Sequence, residues 1–243
     1  MSKIIKPYKD SDATKKTQVA TMFDTISKDY DGLNRVITFG IDVKWRKKVV
    51  AMVKATQPKT ILDIATGTGD LAIMQSQAMP EANIIGLDIS SGMLEIGAQK
   101  IKELGLESSI EMVLGDSENI PYPDNHFDAI TVSYGVRNFE DLDKGLQEIY
   151  RVLKPGGIFV VLETSVPTKF PFKQGYLLHS KVVLPLVGRL FSKDDKAYRY
   201  LSDSANSFPY GKEFNLILNK NGFSKVKDLI VTFGVSTIYK AHK

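Results

Sequence analysis

Between residues 58 and 164 the chain alternates short β-branched runs with helix-length segments, and no other feature constrains the fold as strongly. The runs at 60–64, 83–88, 110–115, 127–133 and 157–163 read as strands, and the segments at about 70–78, 92–104 and 142–153 read as helices. Strands separated by helices pair in parallel, and their sheet must be covered on both faces. Pro80, Gly105 and the turn Lys154-Pro155-Gly156-Gly157 punctuate the helix ends.

The flanks differ. Val19, Met22, Phe23, Ile26, Tyr30 and Leu33 step by three and four, which places one apolar stripe on a helix that Asp12 or Thr14 can cap. A second helix runs from Asp42 to about Lys54. Past residue 164 a stretch containing Pro, Lys and aromatic residues interrupts the alternation up to about residue 210. A helix at 212–220 follows, stopped by Asn221-Gly222, and then strands at about 223–231 and 234–241 with Gly234 between them, as a hairpin requires. The expected organisation is one domain, 1–243, with a helical cap at 1–56 and a lid insertion at 165–210.

Composition removes several functions. At 243 residues and 43% apolar content the chain can bury a large core without staples. It has no cysteine, which excludes disulfides, thiolate metal sites, iron–sulfur clusters and cysteine nucleophiles. His126, His179 and His242 lie too far apart in sequence for a paired ligand motif, so no metal is expected; His126 reads as a surface turn residue and His242 as tail. A net charge of +4 is too small to argue for nucleic acid. The charged first residues contain no apolar h-region, so no secretory leader is read there. The longest apolar runs are strand-length, well short of the ~20 residues that span a bilayer. The expectation is a cytoplasmic protein.

Strand one runs into Asp63-Ile64-Ala65-Thr66-Gly67-Thr68-Gly69-Asp70. Glycines at such a turn let the backbone approach a ligand, and ligands of open α/β sheets bind beyond the carboxyl ends of the strands. Gly67, Gly69 and Ala72 also satisfy the dinucleotide pattern G-x-G-x-x-A, a weak match by itself. The acids argue otherwise. Asp63 precedes the glycines, Asp70 follows them, Asp88 ends strand two and Asp116 follows strand three. Four carboxylates around one adenosine-sized crevice favour a cationic nucleoside over a pyrophosphate. Asp88 is placed to take both ribose hydroxyls and Asp116 to take the adenine amino group. Asp70 can equally serve only its helix N-terminus.

The D-x-x-x-G-x-G-D loop, the Asp88 tip, Gly115-Asp116 and Leu153-Lys154-Pro155-Gly156-Gly157 resemble a class I S-adenosylmethionine-dependent methyltransferase. The resemblance implies an α/β, Rossmann-like class I methyltransferase fold: a seven-stranded, mostly parallel sheet in the order 3-2-1-4-5-7-6, its last strand antiparallel, with helical N-terminal and lid segments. It implies S-adenosylmethionine as cofactor. Asp63 belongs to its loop; Gly67, Thr68 and Gly69 pass under the methionine part; Asp88 binds the ribose; Asp116 and Ser117 flank the adenine; and Ser133 lies near the methyl donor.

Further motifs narrow the resemblance. Tyr30-Asp31-Gly32-Leu33-Asn34-Arg35 with Gly40 and Trp45-Arg46, Ser133-Tyr134-Gly135-Val136-Arg137-Asn138, and Tyr198-Arg199-Tyr200-Leu201 with Phe208-Pro209 are similar to the demethylmenaquinone and ubiquinone-biosynthesis C-methyltransferase family. Where that family commonly has Ser, Gly and His before the tryptophan, this chain has Thr38, Gly40 and Asp42. The implied reaction is methylation of a ring carbon of a polyprenylated quinol, demethylmenaquinol first and the methoxy-benzoquinol of ubiquinone synthesis as the alternative. The acceptor must lose a hydroxyl proton and be held in line with the methyl, about 3 Å away. Arg137 and Asn138 are the candidates to orient the quinol oxygens or a water, with Arg137 stabilising the quinolate, since arginine stays protonated. Arg137 can instead pair with a carboxylate such as Asp141. Tyr30 and Asn34 can face the ring, although Tyr30 equally continues its helix's apolar stripe. His179 is a candidate base from the lid.

The lid carries seven Lys or Arg against two acids over residues 165–200, interleaved with apolar runs. Such a segment can lie on an anionic lipid surface, or pack as a lid with its basic residues in solvent. A peripheral position at the membrane inner face and a homodimer are the further partner expectations; nucleic acid is not one. Three rivals remain. Tyr150 and Lys154 form Y-x-x-x-K, but the glycine spacing of the dehydrogenases that use it is absent. The aromatic Pro-Pro turn of amino-group nucleic-acid methyltransferases is replaced by Ser133–Asn138. A non-catalytic S-adenosylmethionine sensor would also keep the glycine loop.

Overall fold

A computed structural model describes residues 5–178 and 194–243. The elements run α1 (Lys15–Thr38), α2 (Ile41–Lys54), β1 (Thr60–Ile64), α3 (Asp70–Ala78), β2 (Asn83–Asp88), α4 (Ser91–Glu103), β3 (Ile110–Leu114), β4 (Phe127–Ser133), a single 3₁₀ turn (Val136–Asn138), α5 (Leu142–Val152), β5 (Leu153–Thr164), α6 (Phe172–Leu178), α7 (Asp195–Ser207), α8 (Lys212–Lys220), β6 (Ser224–Val231) and β7 (Ser236–His242). The strands form one sheet in the order β3-β2-β1-β4-β5-β7-β6. β1 to β5 pair in parallel, and β7 is antiparallel to both β5 and β6. This is the expected topology.

Alternation along each strand sends side chains to opposite faces. Ile61, Ala129, Ile158 and Val160 meet Trp45, Val49 and Val53 of α2 and Leu71 and Ile73 of α3. Leu62, Ile130, Val132 and Phe159 meet Leu146, Ile149 and Val152 of α5 and Phe214 and Leu218 of α8. A smaller cluster joins Val19, Met22, Ile26 and Leu33 of α1 to Met93 of α4 and to Ala197, Tyr198 and Tyr200 of α7. The stripe on α1 thus packs across the sheet's carboxyl edge rather than on its face. Thr14, not Asp12, caps that helix by accepting from the Thr17 N–H.

Two details depart from expectation. The Lys154–Gly157 segment is part of β5 rather than a turn before it, and the β4–β5 register shifts between Phe127 and Ala129 to absorb the glycines. His242 pairs with Ile158 within the sheet and is no tail. His126 is exposed and stacks on Tyr122. His179 lies outside the described residues. Among the described residues no helix is long and apolar enough to cross a membrane, and no group of His, Asp and Glu could hold a metal ion.

Asp128 ties the amino ends of three strands together. Its carboxylate accepts from the Lys59 and Thr60 N–H groups (3.0 and 2.9 Å), the Thr60 hydroxyl (2.9 Å) and Lys154 Nζ (2.7 Å). Burial opposes the charge, but these donors outweigh it and hold the Asp128 carboxyl down at about 2. A depressed carboxylate stabilises the fold above its unfolded pKa and loses that contribution as pH falls through the folded one. Asp128→Ala is therefore expected to cost about 1–2 kcal/mol at pH 7, discounting for partial exposure. In urea titrations the gap to wild type should narrow from pH 4 towards pH 2; a gap independent of pH would contradict this assignment.

Candidate active site

The sheet reverses its winding between β1 and β4, and the loops leaving these two strands meet at that point. Ala65 (φ 51°) and Tyr134 (φ 60°) hold left-handed backbone conformations at the two tips. Such conformations cost roughly 1 kcal/mol or more for residues with a Cβ, and they gather at functional sites. The approach is close: a Cβ on Gly135 would lie 2.5 Å from the Ala65 Cβ, so only glycine fits there.

Asp88 fixes the glycine loop to β2. Its carboxylate accepts from the Gly67 N–H (2.7 Å) and the Ser90 N–H (2.9 Å), while burial pushes its carboxyl up against those donors. Asp63 sits below the loop. It accepts from the hydroxyls of Thr66 (2.7 Å) and Thr131 (2.6 Å), and its full burial raises its carboxyl to about 6.

A narrow cleft opens over these tips, with about 70 Å³ of free space. Gly67, Asp88, Asp116, Ser117 and Ser133 line it, together with Asn138 and Tyr30. Ser133 Oγ is buried with no hydrogen-bond partner among the described residues. The other expected residues lie elsewhere. Asp63 is directed into the β1–β4 core, and the Thr68 hydroxyl donates to Asp31 (2.6 Å). Gly69 caps α3, and Asp70 pairs with Lys100 (2.5 Å). Glu118 and Glu140 also line the cleft, and of the four acids expected there only Asp88 and Asp116 do. The others are consumed in bracing the loop and α4.

α1 roofs the cleft. Asp24 accepts from the Ser90 hydroxyl (2.6 Å) and the Gly92 N–H (2.9 Å), and Asp31 accepts from Thr68 and from Lys100 (3.0 Å). Lys16 reaches Asp116 (2.5 Å) and Glu118 (3.1 Å). Lys15 donates to the carbonyls of Arg137 (3.0 Å) and Phe139 (2.6 Å), and burial lowers its ammonium to about 8. Lys16, Asp24 and Asp31, spaced by eight and seven, fall on one side of α1, while Lys15 reaches the Arg137 turn from the first turn of the helix. That spacing was present in the sequence, but the apolar stripe beside it explained the helix without them.

Tyr30 and Tyr134 separate this cleft from a second, mostly apolar cavity of about 470 Å³. Among the described residues, α1, α2, α6, α7 and the β6–β7 turn build its walls, including Ile37, Trp45, Phe172, Tyr198, Leu201 and Phe233. Arg137 lines it and pairs with Glu163 of β5 (2.5 Å), not with Asp141, which caps α5. Burial disfavours the Arg137 charge, but Glu163 beside it holds the guanidinium protonated. Arg137 Nε and Glu163 Oε2 are both buried without a partner among the described residues. Asn138 accepts from the Tyr200 hydroxyl (3.1 Å). Tyr30 is held by Asn34 and lies within electrostatic reach of Arg137, Arg46 and Asp88; burial raises its phenol. Sequence reasoning missed Glu163, although an acid closing an otherwise apolar strand was a signal for a buried cation.

Residues 11–243 match the family model of the ubiE/COQ5 methyltransferase family. A demethylmenaquinone methyltransferase of Bacteroides fragilis is 46% identical over 98% of this chain and 97% of its own length. A ubiquinone/menaquinone biosynthesis C-methyltransferase UbiE of Geotalea daltonii is 42% identical over 93% of this chain and 96% of its own. Among solved structures, a SAM-dependent methyltransferase from Thermotoga maritima superposes with a TM-score of 0.62 at 19% identity, covering 92% of this chain and 99% of that one. That last likeness concerns the fold alone.

The raised Asp63 carboxyl makes a testable contribution. A carboxyl whose folded pKa is raised stabilises the fold below its unfolded pKa, and that gain is lost as pH rises through the folded value. Wild-type stability should carry a falling component between about pH 4 and pH 6 that Asp63→Asn removes. Denaturant midpoints across that range check it; an unchanged slope in the variant would assign the pH dependence elsewhere.

Proposed function

The chain belongs to the ubiE/COQ5 methyltransferase family and is an S-adenosylmethionine-dependent methyltransferase; on that premise we propose that it methylates a ring carbon of a polyprenylated quinol, with demethylmenaquinol as the acceptor. The observation that carries the acceptor assignment is the junction at Tyr30 and Tyr134, where an acid-lined cleft meets a large apolar cavity holding a buried arginine whose Nε has no partner among the described residues.

The cleft suits the cofactor. Asp88 retains lone pairs for ribose hydroxyls beyond the two it gives the backbone, Asp116 and Ser117 offer acceptors for an adenine amine, and Ser133 brings an unpaired hydroxyl. Gly67 has no atom within 4 Å of where a Cβ would stand, so its backbone is open to a ligand. When bound, S-adenosylmethionine supplies a methyl group activated by its sulfonium. Lys16 and the Glu118 N–H each take one oxygen of Asp116, which leaves acceptor capacity for an adenine amine.

The chain's own work is to bind, orient and bias charge. Methylation replaces a ring hydrogen by methyl and releases one proton overall. A hydroxyl proton leaves first to make the ring carbon nucleophilic, the ring proton leaves afterwards to restore aromaticity, and the oxygen is then reprotonated. Arg137 presents a buried guanidinium edge to the oxygen that becomes negative, and in a low-dielectric wall this is worth far more than in water. Asn138, Tyr30 and Asn34 orient the ring. From the described part of the expected lid, Pro171, Phe172, Gly175, Tyr176, Tyr198 and Leu201 contribute to the cavity wall.

The cavity's mouth supports a peripheral membrane position. Phe39 (78% exposed), Phe172 (38%) and Phe233 (67%) line the cavity and also face outward, with Phe172 and Phe233 stacked at 3.9 Å. Exposed aromatics around an apolar portal fit an acceptor whose prenyl tail stays in lipid.

Labelled S-adenosylmethionine offered with reduced demethylmenaquinone should place label in the naphthoquinol. Label only in the ubiquinone precursor would move the assignment to the benzoquinol, and label in neither would end the quinol reading. Arg137→Ala would strand the buried Glu163, so the informative variant is Arg137→Gln combined with Glu163→Gln. It should lose at least about 100-fold in kcat while cofactor affinity stays within about twofold; near-wild-type turnover would remove Arg137 from the mechanism.

A further inference from the structure

The apolar cavity contains a second buried ion pair that the reaction as described leaves unused. Asp42 and Arg46, one turn apart on α2, are 3% and 9% exposed and bonded to each other; both line the cavity, as does Thr38. The Thr38 hydroxyl lies 2.7 Å from Asp42 Oδ1 and also 2.7 Å from the Asn34 carbonyl. It has one proton for two acceptors. Asp42 Oδ1 therefore shares its donor, and Oδ2 receives a single bond from Arg46. A carboxylate oxygen accommodates about two donors, so Asp42, which lines the cavity, keeps acceptor capacity. A buried ion pair is weak evidence of stabilisation, since apolar replacements are often as stable.

The pair's position relative to Arg137 is informative. Tyr30, at the junction with the cofactor cleft, lies within electrostatic reach of both Arg137 and Arg46, and Tyr134 within reach of Arg46, Asp42 and Glu163. The two ion pairs thus flank the junction tyrosines from different elements. Arg137 offers only donors and Asp42 only acceptors. A 1,4-dihydroxy ring carries oxygens on opposite edges, so one can meet each pair.

We propose that Asp42, held by Arg46 and Thr38, accepts the hydroxyl of the acceptor ring distal to Arg137 and is the residue that selects the reduced quinol over the oxidised quinone. This rests on the quinol reading above. The distal oxygen is kept protonated because it donates to a carboxylate. Negative charge then falls on the oxygen beside Arg137, and the ring carbon ortho to that oxygen becomes the nucleophile. An oxidised quinone presents a carbonyl at the distal position, has no proton to donate, and faces Asp42 with like partial charge. As a carboxylate, Asp42 sets the selection with a fixed acceptor.

The test measures anaerobic binding of a short-tailed demethylnaphthoquinol and of its quinone by calorimetry, alongside kcat, KM and S-adenosylmethionine affinity. Wild type should bind the quinol about tenfold or more tightly than the quinone. Asp42→Asn should raise KM for the quinol about 10- to 100-fold, bring the two affinities within about twofold, and leave cofactor affinity unchanged. Asp42→Glu should recover part of the discrimination. Should Asp42→Asn fold poorly around an unpaired Arg46, the neutral pair Asp42→Asn with Arg46→Gln makes the same comparison. A merely structural role would lower thermal stability and leave the quinol-to-quinone ratio intact; that ratio preserved in a folded variant would overturn the proposal. Wild type that binds neither ring form would instead refute the quinol reading itself.

Discussion

The near-contact of Ala65 with Gly135 governs the geometry of everything above the sheet. β1 and β4 are neighbours whose following helices pass to opposite faces, so their exit loops must part, and a crevice opens between them. Both loops turn through left-handed backbone immediately at the strand ends. This brings the glycine loop, Ser133, Tyr134 and the Arg137-Asn138 turn within reach of one ligand. A side chain at Gly135 would push the loops apart and break that register.

α1 converts the crevice into an enclosed site. It contributes no strand pairing and little to the two main cores, yet Asp24 and Asp31 hold the tips of β2 and β1 through hydroxyl and backbone donors. Lys16 places a cation on Asp116, and Lys15 secures the turn carrying Arg137. The Asp116 carboxylate in the cleft and the turn that carries Arg137 are therefore linked through a single helix. The same helix carries Tyr30 and Thr38 into the second cavity.

Charge in that cavity is arranged by pairing. Glu163 and Asp42 come from β5 and α2, and each holds an arginine in a wall made mostly of aliphatic and aromatic side chains. Low polarity strengthens each interaction and penalises any group left alone. Among the described residues the unpartnered Arg137 Nε can accordingly donate to a ligand oxygen, and Asp42, which shares the Thr38 hydroxyl with the Asn34 carbonyl, can accept from a ligand hydroxyl.

Periodicity and turn chemistry determined the elements almost residue by residue: 60–64, 83–88 and 127–133 as strands, 70–78 and 212–220 as helices. These are local properties, set by β-branched runs, helical spacing and glycine stops. The glycine loop with Asp88 and Asp116 at successive strand tips was legible too, because parallel topology forces strand ends to one edge. Which acids face the ligand was not. Asp63 and Asp70 share the motif with Asp88, but Thr131 and Lys100, 68 and 30 residues away, draw them inward. Glu163 and the reach of Lys16 to Asp116 likewise depend on partners distant in sequence, whereas Asp42 pairs locally with Arg46 and Thr38 and only the fold brings that pair to the cavity. Sequence alone determined the strands and helices in their order along the chain and the sheet edge at which the glycine loop lies. The tertiary structure decided which charges pair with each other and which remain for a ligand, because pairing depends on distance and burial, and neither is a property of spacing along the chain.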